Sequence, residues 1–325
     1  MKQINDEIQP PVKKKKNLLS LLTNVLLPII LVGIFVLQIY TDRKAIRDFD
    51  WNFDLTLFFI GMFLLLINTS FEVGIWNKTL SWFTTALPYK LAVPTYIWSS
   101  VARYIPGKVA SFLVRVGLTS QLGVPMIPML AASTVELAVR TASGFFMLLL
   151  SFLVAKTAQT NIIILAAIII TVVLIVAHPK IMIPIMNWLL RKIKQPQIMV
   201  IPKYRSILMV FGLNIFRWII YGCAFSFICI SIYPQAVMKF VAMVGVAPGS
   251  WSVGFVSLMP GGIGATEWTQ KILLEGMLTL PAEIAMILPI LFRLSTLISE
   301  GVWSLIGILF WRERGNYVER DQEEN

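Results

Sequence analysis

The sequence predicts an all-α polytopic membrane protein that contains an inverted-topology repeat. Hydrophobic residues make up 57% of the 325 residues and charged residues only 14%, a balance that water-soluble domains do not show. The apolar segments reach the ~20 residues that a helix needs to cross a bilayer. They also lack the alternation of β-barrel strands. Two Pro-Gly segments, which begin at Pro106 and Pro260, interrupt this apolar sequence.

Six apolar segments have the length of full transmembrane helices. They cover residues 17–40, 53–75, 126–155, 161–177, 206–232 and 282–311. The first is too long for the core of a signal peptide and no small-residue cleavage site follows it, so we expect it to be retained. Two further segments, 91–122 and 236–280, contain the Pro-Gly breaks. We expect both to be re-entrant or hairpin elements.

The lysines and arginines between the spans predict the orientation. Four lysines directly precede the first span, so the positive-inside rule places the N-terminal tail, 1–16, in the cytoplasm. The single membrane domain, 17–311, then returns the C-terminal tail, 312–325, to the same side of the cytoplasmic (inner) membrane. The net charge of +11 lies mostly in connecting loops. It favours anionic lipid headgroups over nucleic acid as partners.

Residues that follow the two breaks recur at a nearly constant distance. Four residues have an identical residue 153 positions later: Gly123, Pro128, Ala132 and Arg140. The basic cytoplasmic linker, 178–205, separates the two predicted halves, 53–177 and 206–311. Counting the spans places the two hairpins on opposite sides of the membrane. This is the inverted-repeat arrangement, which brings broken helices together near the bilayer midplane.

Ionisable residues flank both breaks and lie deep inside the helices that follow. Such groups cost ~2.5–3.5 kcal/mol each on insertion scales, so they normally face a partner or an aqueous cavity. The candidates for ligand binding are Arg103, Lys108, Arg115, Arg140 and Arg293. The candidates for charge pairing or a proton relay are Glu136, Glu267 and Glu300. Two interpretations stay open: acid–base pairs that lock helices together, or a positive cavity whose arginines bind an anionic headgroup.

The backbone at the breaks adds further candidates. Proline removes an amide donor and glycine permits tight geometry, so polar backbone groups are exposed and can meet an anion. The candidate residues are Pro106, Gly107, Pro260, Gly261, Gly262 and Gly264. The glycine run fits neither a Walker loop nor a dinucleotide fingerprint. His178 is the single histidine and has no cysteine or acidic neighbours. The sequence therefore predicts no metal, no cofactor and no catalytic residues, and hence a protein that is not an enzyme.

At these residues the sequence resembles the lysylphosphatidylglycerol synthase transmembrane region, a flippase-like family. The matching elements are Arg103-Tyr104-Ile105-Pro106-Gly107-Lys108 with Arg115, Gly123 and Glu136, then Pro260-Gly261-Gly262-Ile263-Gly264 with Glu267, and Arg293. The resemblance covers nearly the whole chain after the first span, although Lys108 departs from the usual pattern. It implies an α-helical inner-membrane domain associated with lipid handling, or with glycolipid and polyprenyl-phosphate pathways. The synthases append a soluble aminoacyl-transfer domain, which this sequence lacks, so we expect a stand-alone form.

These observations together predict a lipid-handling membrane protein. We expect it to translocate or bind an anionic phospholipid or a polyprenyl-phosphate-linked headgroup in a polar intramembrane cavity. Because the chain offers no nucleotide site, directional movement would need an ion gradient, a partner or a downhill lipid gradient. The alternative is a non-transporting membrane subunit that supports a cell-envelope glycosyltransferase or a lipid-modifying enzyme.

Overall fold

The computed structural model describes most of the membrane domain. It covers residues 53–104, 109–156, 178–192, 194–257 and 259–312, with isolated positions between 40 and 47 and between 164 and 175. The predicted spans 17–40 and 161–177 therefore lie almost entirely outside the described residues. The first Pro-Gly break, at 105–108, lies outside them as well.

The described residues form ten α-helices and contain no strand, which confirms the predicted all-α class. In chain order they are α1 (Leu55–Leu80), α2 (Tyr89–Val101), α3 (Ala110–Ser120), α4 (Met126–Ala155), α5 (Pro179–Lys192), α6 (Tyr204–Ile232), α7 (Phe240–Met243), α8 (Val246–Val256), α9 (Ala265–Ile272) and α10 (Ala282–Trp311). Short 3₁₀-helices lie between several of them, at Ala102–Tyr104, Pro234–Lys239 and Pro260–Gly262.

Four helices, α1, α4, α6 and α10, are long and apolar enough to cross a membrane. At 1.5 Å per residue their 26 to 30 residues exceed the bilayer core of ~30 Å. They confirm four of the six predicted spans. Helix α1 begins after Asp54, whose side chain accepts a hydrogen bond from the Leu57 amide (3.1 Å). It continues five residues beyond the predicted end because Trp76 and Leu80 are fully buried in a core formed with α2.

The second predicted hairpin is a broken element, as expected from its Pro-Gly sequence. The segment Pro234–Met243 and helix α8 are bent by 60° relative to each other. After α8 the chain turns at Pro260–Gly262, where Gly261 (φ 58°) and Gly262 (φ 68°) occupy the left-handed region that favours glycine. Helices α8 and α9, on either side of this turn, have 11 and 8 residues, too few to span a bilayer alone.

Helices α4 and α10 start in the same way. Each has 30 residues and follows a proline, Pro125 or Pro281. A residue with positive φ, Gly123 or Thr279, precedes each proline by two positions. This geometry pairs Pro281 with Pro125, whereas the 153-residue spacing pairs it with Pro128. The spacing between the starts of the two helices is therefore three residues longer than the 153-residue spacing of identical residues, a difference close to one helical turn.

The contacts between helices are also duplicated. Helix α2 packs on α10 and on α3, and in the same way α8 packs on α4 and on α9. Helices α1 and α6, which pack extensively on each other, run antiparallel. The Asp54 amide at the start of α1 donates to the Ser231 carbonyl at the end of α6 (2.8 Å), and near mid-helix Arg217 donates to Asn68 (3.1 Å). These two helices, which begin the two predicted halves, thus point in opposite directions, as an inverted repeat requires.

Gly222 of α6 provides a test of this packing. A Cβ atom at Gly222 would overlap the backbone of Val244. We expect Gly222→Ala to lower the free energy of unfolding by roughly 1–3 kcal/mol, because the backbones must move apart. The measurement is the thermal unfolding midpoint of the purified protein in detergent. Gly212→Ala is the matched control on the same helix, since nothing lies within 4 Å of its Cβ position. Equal effects of the two substitutions would contradict this packing.

Candidate functional site

The end of α2 meets the second Pro-Gly turn inside the protein. The 3₁₀ turn Ala102–Tyr104 packs directly against the turn Pro260–Gly262. The Tyr104 ring lies so close to Gly261 that a Cβ atom there would overlap it. Gly261 is therefore required by its positive φ and by this approach. The contact places Arg103 beside the second break and next to the charged residues of α4 and α10.

Glu72 of α1 is the centre of a buried ion-pair network. Its Oε1 accepts hydrogen bonds from Arg140 of α4 (2.6 Å) and Arg217 of α6 (2.8 Å). The guanidinium of Arg140 also faces the rings of Trp251 (4.1 Å) and Trp218 (5.7 Å). One carboxylate thus joins three membrane-spanning helices.

Neither Glu72 nor Arg217 was among the residues singled out from the sequence. Both are charged residues inside predicted spans, 53–75 and 206–232, and Arg217 is 0% exposed. Their depth in the apolar sequence was a sufficient signal, because intramembrane charges mark functional or pairing positions.

Two further ion pairs tie the breaks to α10. Arg293 donates from Nε to Glu267 of α9 (2.5 Å) and from Nη1 to the Gly261 carbonyl (3.3 Å). Arg103 pairs with Glu300. Arg293 and Glu300 share a face of α10, yet each pairs with a residue from another element. These two ion pairs therefore join separate elements, as the interpretation of helix-locking acid–base pairs expects.

The amides of the second break are already bonded within the protein. The Gly262 amide donates to the Met259 carbonyl (3.0 Å), and the Gly264 amide donates to Glu267 (2.8 Å). The expectation that these two amides meet an anion is not supported by this geometry. The glycines shape the turn, and these two amides are occupied by partners within the protein.

Arg115 of α3 differs from the other arginines of the cluster. It is 8% exposed and donates to the hydroxyls of Ser99 (2.8 Å) and Ser133 (3.2 Å). Its guanidinium lies over the Tyr96 ring (4.5 Å) and the Trp76 ring (5.1 Å). Among the described residues no carboxylate lies within 4.0 Å of it. Neutral groups therefore hold Arg115 in place and leave its charge uncompensated at close range.

A cavity of about 460 Å³ opens between α2, α3, α4, α8 and the second break. Its polar wall includes Ser100, Arg103, Arg115, Ser133, Glu136 and Arg140. Its apolar wall includes Val109, Phe112, Leu137, Trp251, Phe255 and Met259. A smaller chamber of about 50 Å³ adjoins it and is lined by Glu72, Arg293 and Glu300, among others. Arg103, Arg140 and Gly261 line both spaces.

The structure brings most of the predicted site residues to this place. Arg103, Arg115, Glu136, Arg140, Gly261 and Gly262 line the larger cavity, and Arg293 and Glu300 line the smaller one. Pro260, Gly264 and Glu267 lie in or beside the second break. Pro106, Gly107 and Lys108 lie outside the described residues. In the part of the chain that is described, no cluster of three or more His, Cys, Asp or Glu is arranged to hold a metal ion.

Within the described residues the charges of this cluster do not balance. Five arginines, at 103, 115, 140, 217 and 293, stand against four glutamates, at 72, 136, 267 and 300. Buried nitrogens on Arg140, Arg217 and Arg293 have no hydrogen-bond partner in the part of the chain that the structure describes. The larger cavity thus combines a positive polar end with an apolar wall.

Comparison with models of protein families gives no match, and comparison with curated proteins finds no significant match. The resemblance to the lysylphosphatidylglycerol synthase transmembrane region therefore stays a prediction from the motifs.

The shared carboxylate of Glu72 gives a prediction about stability. Glu72→Gln leaves two buried guanidinium groups without the carboxylate between them, so we expect a loss of about 3–5 kcal/mol in the free energy of unfolding. Arg217→Met keeps the Glu72–Arg140 pair and should cost clearly less. Thermal unfolding in detergent compares the variants, with Glu275→Gln as an exposed control. An Arg217→Met variant as unstable as Glu72→Gln would contradict the central role of Glu72.

Proposed function

We propose that the protein binds the anionic headgroup of a lipid in the larger cavity and carries it between the leaflets. The observation that carries this proposal is the composition of that cavity. Three arginines stand at its polar end and aromatic and aliphatic side chains line the rest. A ligand that combines an anionic group with an apolar chain fits both the arginine-lined end and the apolar wall.

The polar end supplies the binding chemistry. Arg115 has no close carboxylate among the described residues, and Arg103 and Arg140 lie on the same cavity wall. Guanidinium groups bind phosphate oxygens through parallel charged hydrogen bonds, which are the strong ones in proteins. A phosphate at this position would also offset the excess positive charge of the cluster.

The apolar wall supplies a place for the chain. Val109 and Met259 line the cavity and are 61% and 49% exposed, so the wall continues to the outer surface of the helices. In a membrane that surface meets lipid tails. A headgroup can therefore occupy the polar end while its acyl or isoprenoid chain stays in the bilayer.

The repeat supports movement in addition to binding. In transporters with inverted repeats, substrate sites lie where broken helices meet, and rocking of one part against the other exposes the site to alternate sides. Here the turns Ala102–Tyr104 and Pro260–Gly262 meet beside the cavity. The family resemblance, which implies lipid handling, points the same way. Phospholipids and polyprenyl phosphates share the phosphate that the arginines would bind.

Reconstitution tests the proposal. Proteoliposomes that contain labelled phosphatidylglycerol, phosphatidylcholine or polyprenyl phosphate should exchange the anionic lipids between leaflets faster than protein-free liposomes. We expect Arg115→Gln to slow this exchange about tenfold or more, because a charged hydrogen bond contributes ~1.5–3 kcal/mol. Arg205→Gln, at an exposed position outside the cavity, is the matched control and should behave as wild type.

The outcomes separate the two functions considered. Acceleration of an anionic lipid that Arg115→Gln removes, with an unchanged unfolding midpoint, supports lipid translocation. Wild-type protein that accelerates none of the three lipids contradicts it. Copurification with a glycosyltransferase or a lipid-modifying enzyme would then favour the non-transporting subunit.

A further inference from the structure

Glu136 is the buried glutamate of the cluster that lacks a close partner among the described residues. It is 3% exposed and lines the larger cavity. No described residue donates a hydrogen bond to it, and the nearest base, Arg140, is 4.0 Å away at Nη1. That nitrogen donates to the Tyr96 hydroxyl (2.8 Å), and Nη2 of Arg140 donates to Glu72 (2.6 Å). Arg140 thus lies near Glu136 but donates its hydrogen bonds to other groups, and none of the described residues supplies one to Glu136.

The other buried glutamates are engaged. Glu72 accepts from two arginines, Glu267 binds Arg293 and the Gly264 amide, and Glu300 pairs with Arg103. Taking up a proton at any of these three would break an ion pair that joins helices. At Glu136 it would weaken only the 4.0 Å contact with Arg140, which lies on the same helix. Of the three sequence-based candidates for a proton relay, the structure thus separates Glu136 from Glu267 and Glu300.

The groups around Glu136 determine whether its ionised or its protonated form favours the binding of an anion. The charged and titratable groups around it are Arg140 on its own helix, Arg115 on α3, Tyr96 on α2, Glu72 on α1 and Arg217 on α6. Arg115 and Arg140 are also the groups that would bind an anion in the cavity. An ionised Glu136 repels an anion held there, whereas a protonated Glu136 does not and can donate a hydrogen bond to it.

We infer that Glu136 takes up a proton when an anionic headgroup enters the cavity, so that the lipid anion and the proton occupy the site together. This inference rests on the proposed lipid binding and adds an energy source to it. Ligand and proton each strengthen the binding of the other by the same factor. A proton gradient would then drive directional movement of the lipid.

Calorimetry with a lipid of constant charge tests the coupling. The probe is short-chain phosphatidylmethanol, a phosphodiester that keeps one negative charge from pH 5 to 8 and has no donor in its headgroup. It is titrated into protein held in nanodiscs of neutral lipid, with empty nanodiscs as the blank. Two buffers that differ in ionisation enthalpy give the number of protons taken up. We expect close to one proton per lipid where Glu136 is ionised in the free protein, and a Kd that rises up to tenfold per pH unit there.

Two glutamate variants make the test specific. Glu136→Gln keeps the shape of the side chain and should bind the probe with a pH-independent Kd and no proton uptake. Glu275→Gln, an exposed control, should behave as wild type. Wild-type binding without proton uptake, or uptake that persists in Glu136→Gln, would overturn the inference and leave lipid binding intact. The absence of binding at every pH in both proteins would remove the proposed function, and the inference with it.

Phosphatidylglycerol of the same chain length distinguishes proton coupling from a second explanation, in which Glu136 recognises the headgroup. Its headgroup hydroxyls could themselves donate to an ionised Glu136. Tighter binding of phosphatidylglycerol than of phosphatidylmethanol at high pH, without proton uptake, would assign Glu136 to headgroup recognition and overturn proton coupling. Equal affinities, with equal uptake of one proton, support it.

Discussion

The structure depends above all on one carboxylate shared by two arginines. Glu72 lies between Arg140 and Arg217, and the three residues belong to three different spanning helices. Each charge alone would be costly in a bilayer, and the pairs offset that cost only while the helices stay in contact. The network therefore holds α1, α4 and α6 at a fixed distance. It also positions Arg140 between the two cavity spaces, with its second terminal nitrogen bonded to Tyr96.

The two predicted halves repeat a pattern of helix contacts but differ in charge after their breaks. Helix α9, which follows the second break, carries Glu267, and this residue neutralises Arg293. Helix α3, which follows the first break, carries Arg115 in a setting of hydroxyls and aromatic rings. The α3 side is therefore more positive than the α9 side. Helix α3 lines the larger cavity, so the more positive of the two sides is the one that contributes Arg115 to the candidate site.

Composition and segment length were sufficient for the fold class and for four spans, because a bilayer imposes one secondary structure and a minimum length. Local patterns did not determine which charges pair. The face shared by Arg293 and Glu300 is a property of one helix, whereas their partners, Glu267 and Arg103, come from other elements. Arg140 likewise donates to Tyr96 and Glu72 rather than to Glu136 because of where those two residues meet it. Both depend on packing between distant segments, which spacing along the chain does not encode.

The glycines between α4 and α8 bring the first and second halves of the chain into close contact. Cβ atoms at Gly144, Gly245 or Gly249 would overlap atoms of the facing segment, so the two segments are in backbone-to-backbone contact. Helix α4 belongs to the first half and α8 to the second, and α2 and α10 are exchanged in the same manner. Each half thus completes the core of the other. Neither half could therefore bury its apolar surface alone, and we expect the two halves to fold together rather than one after the other.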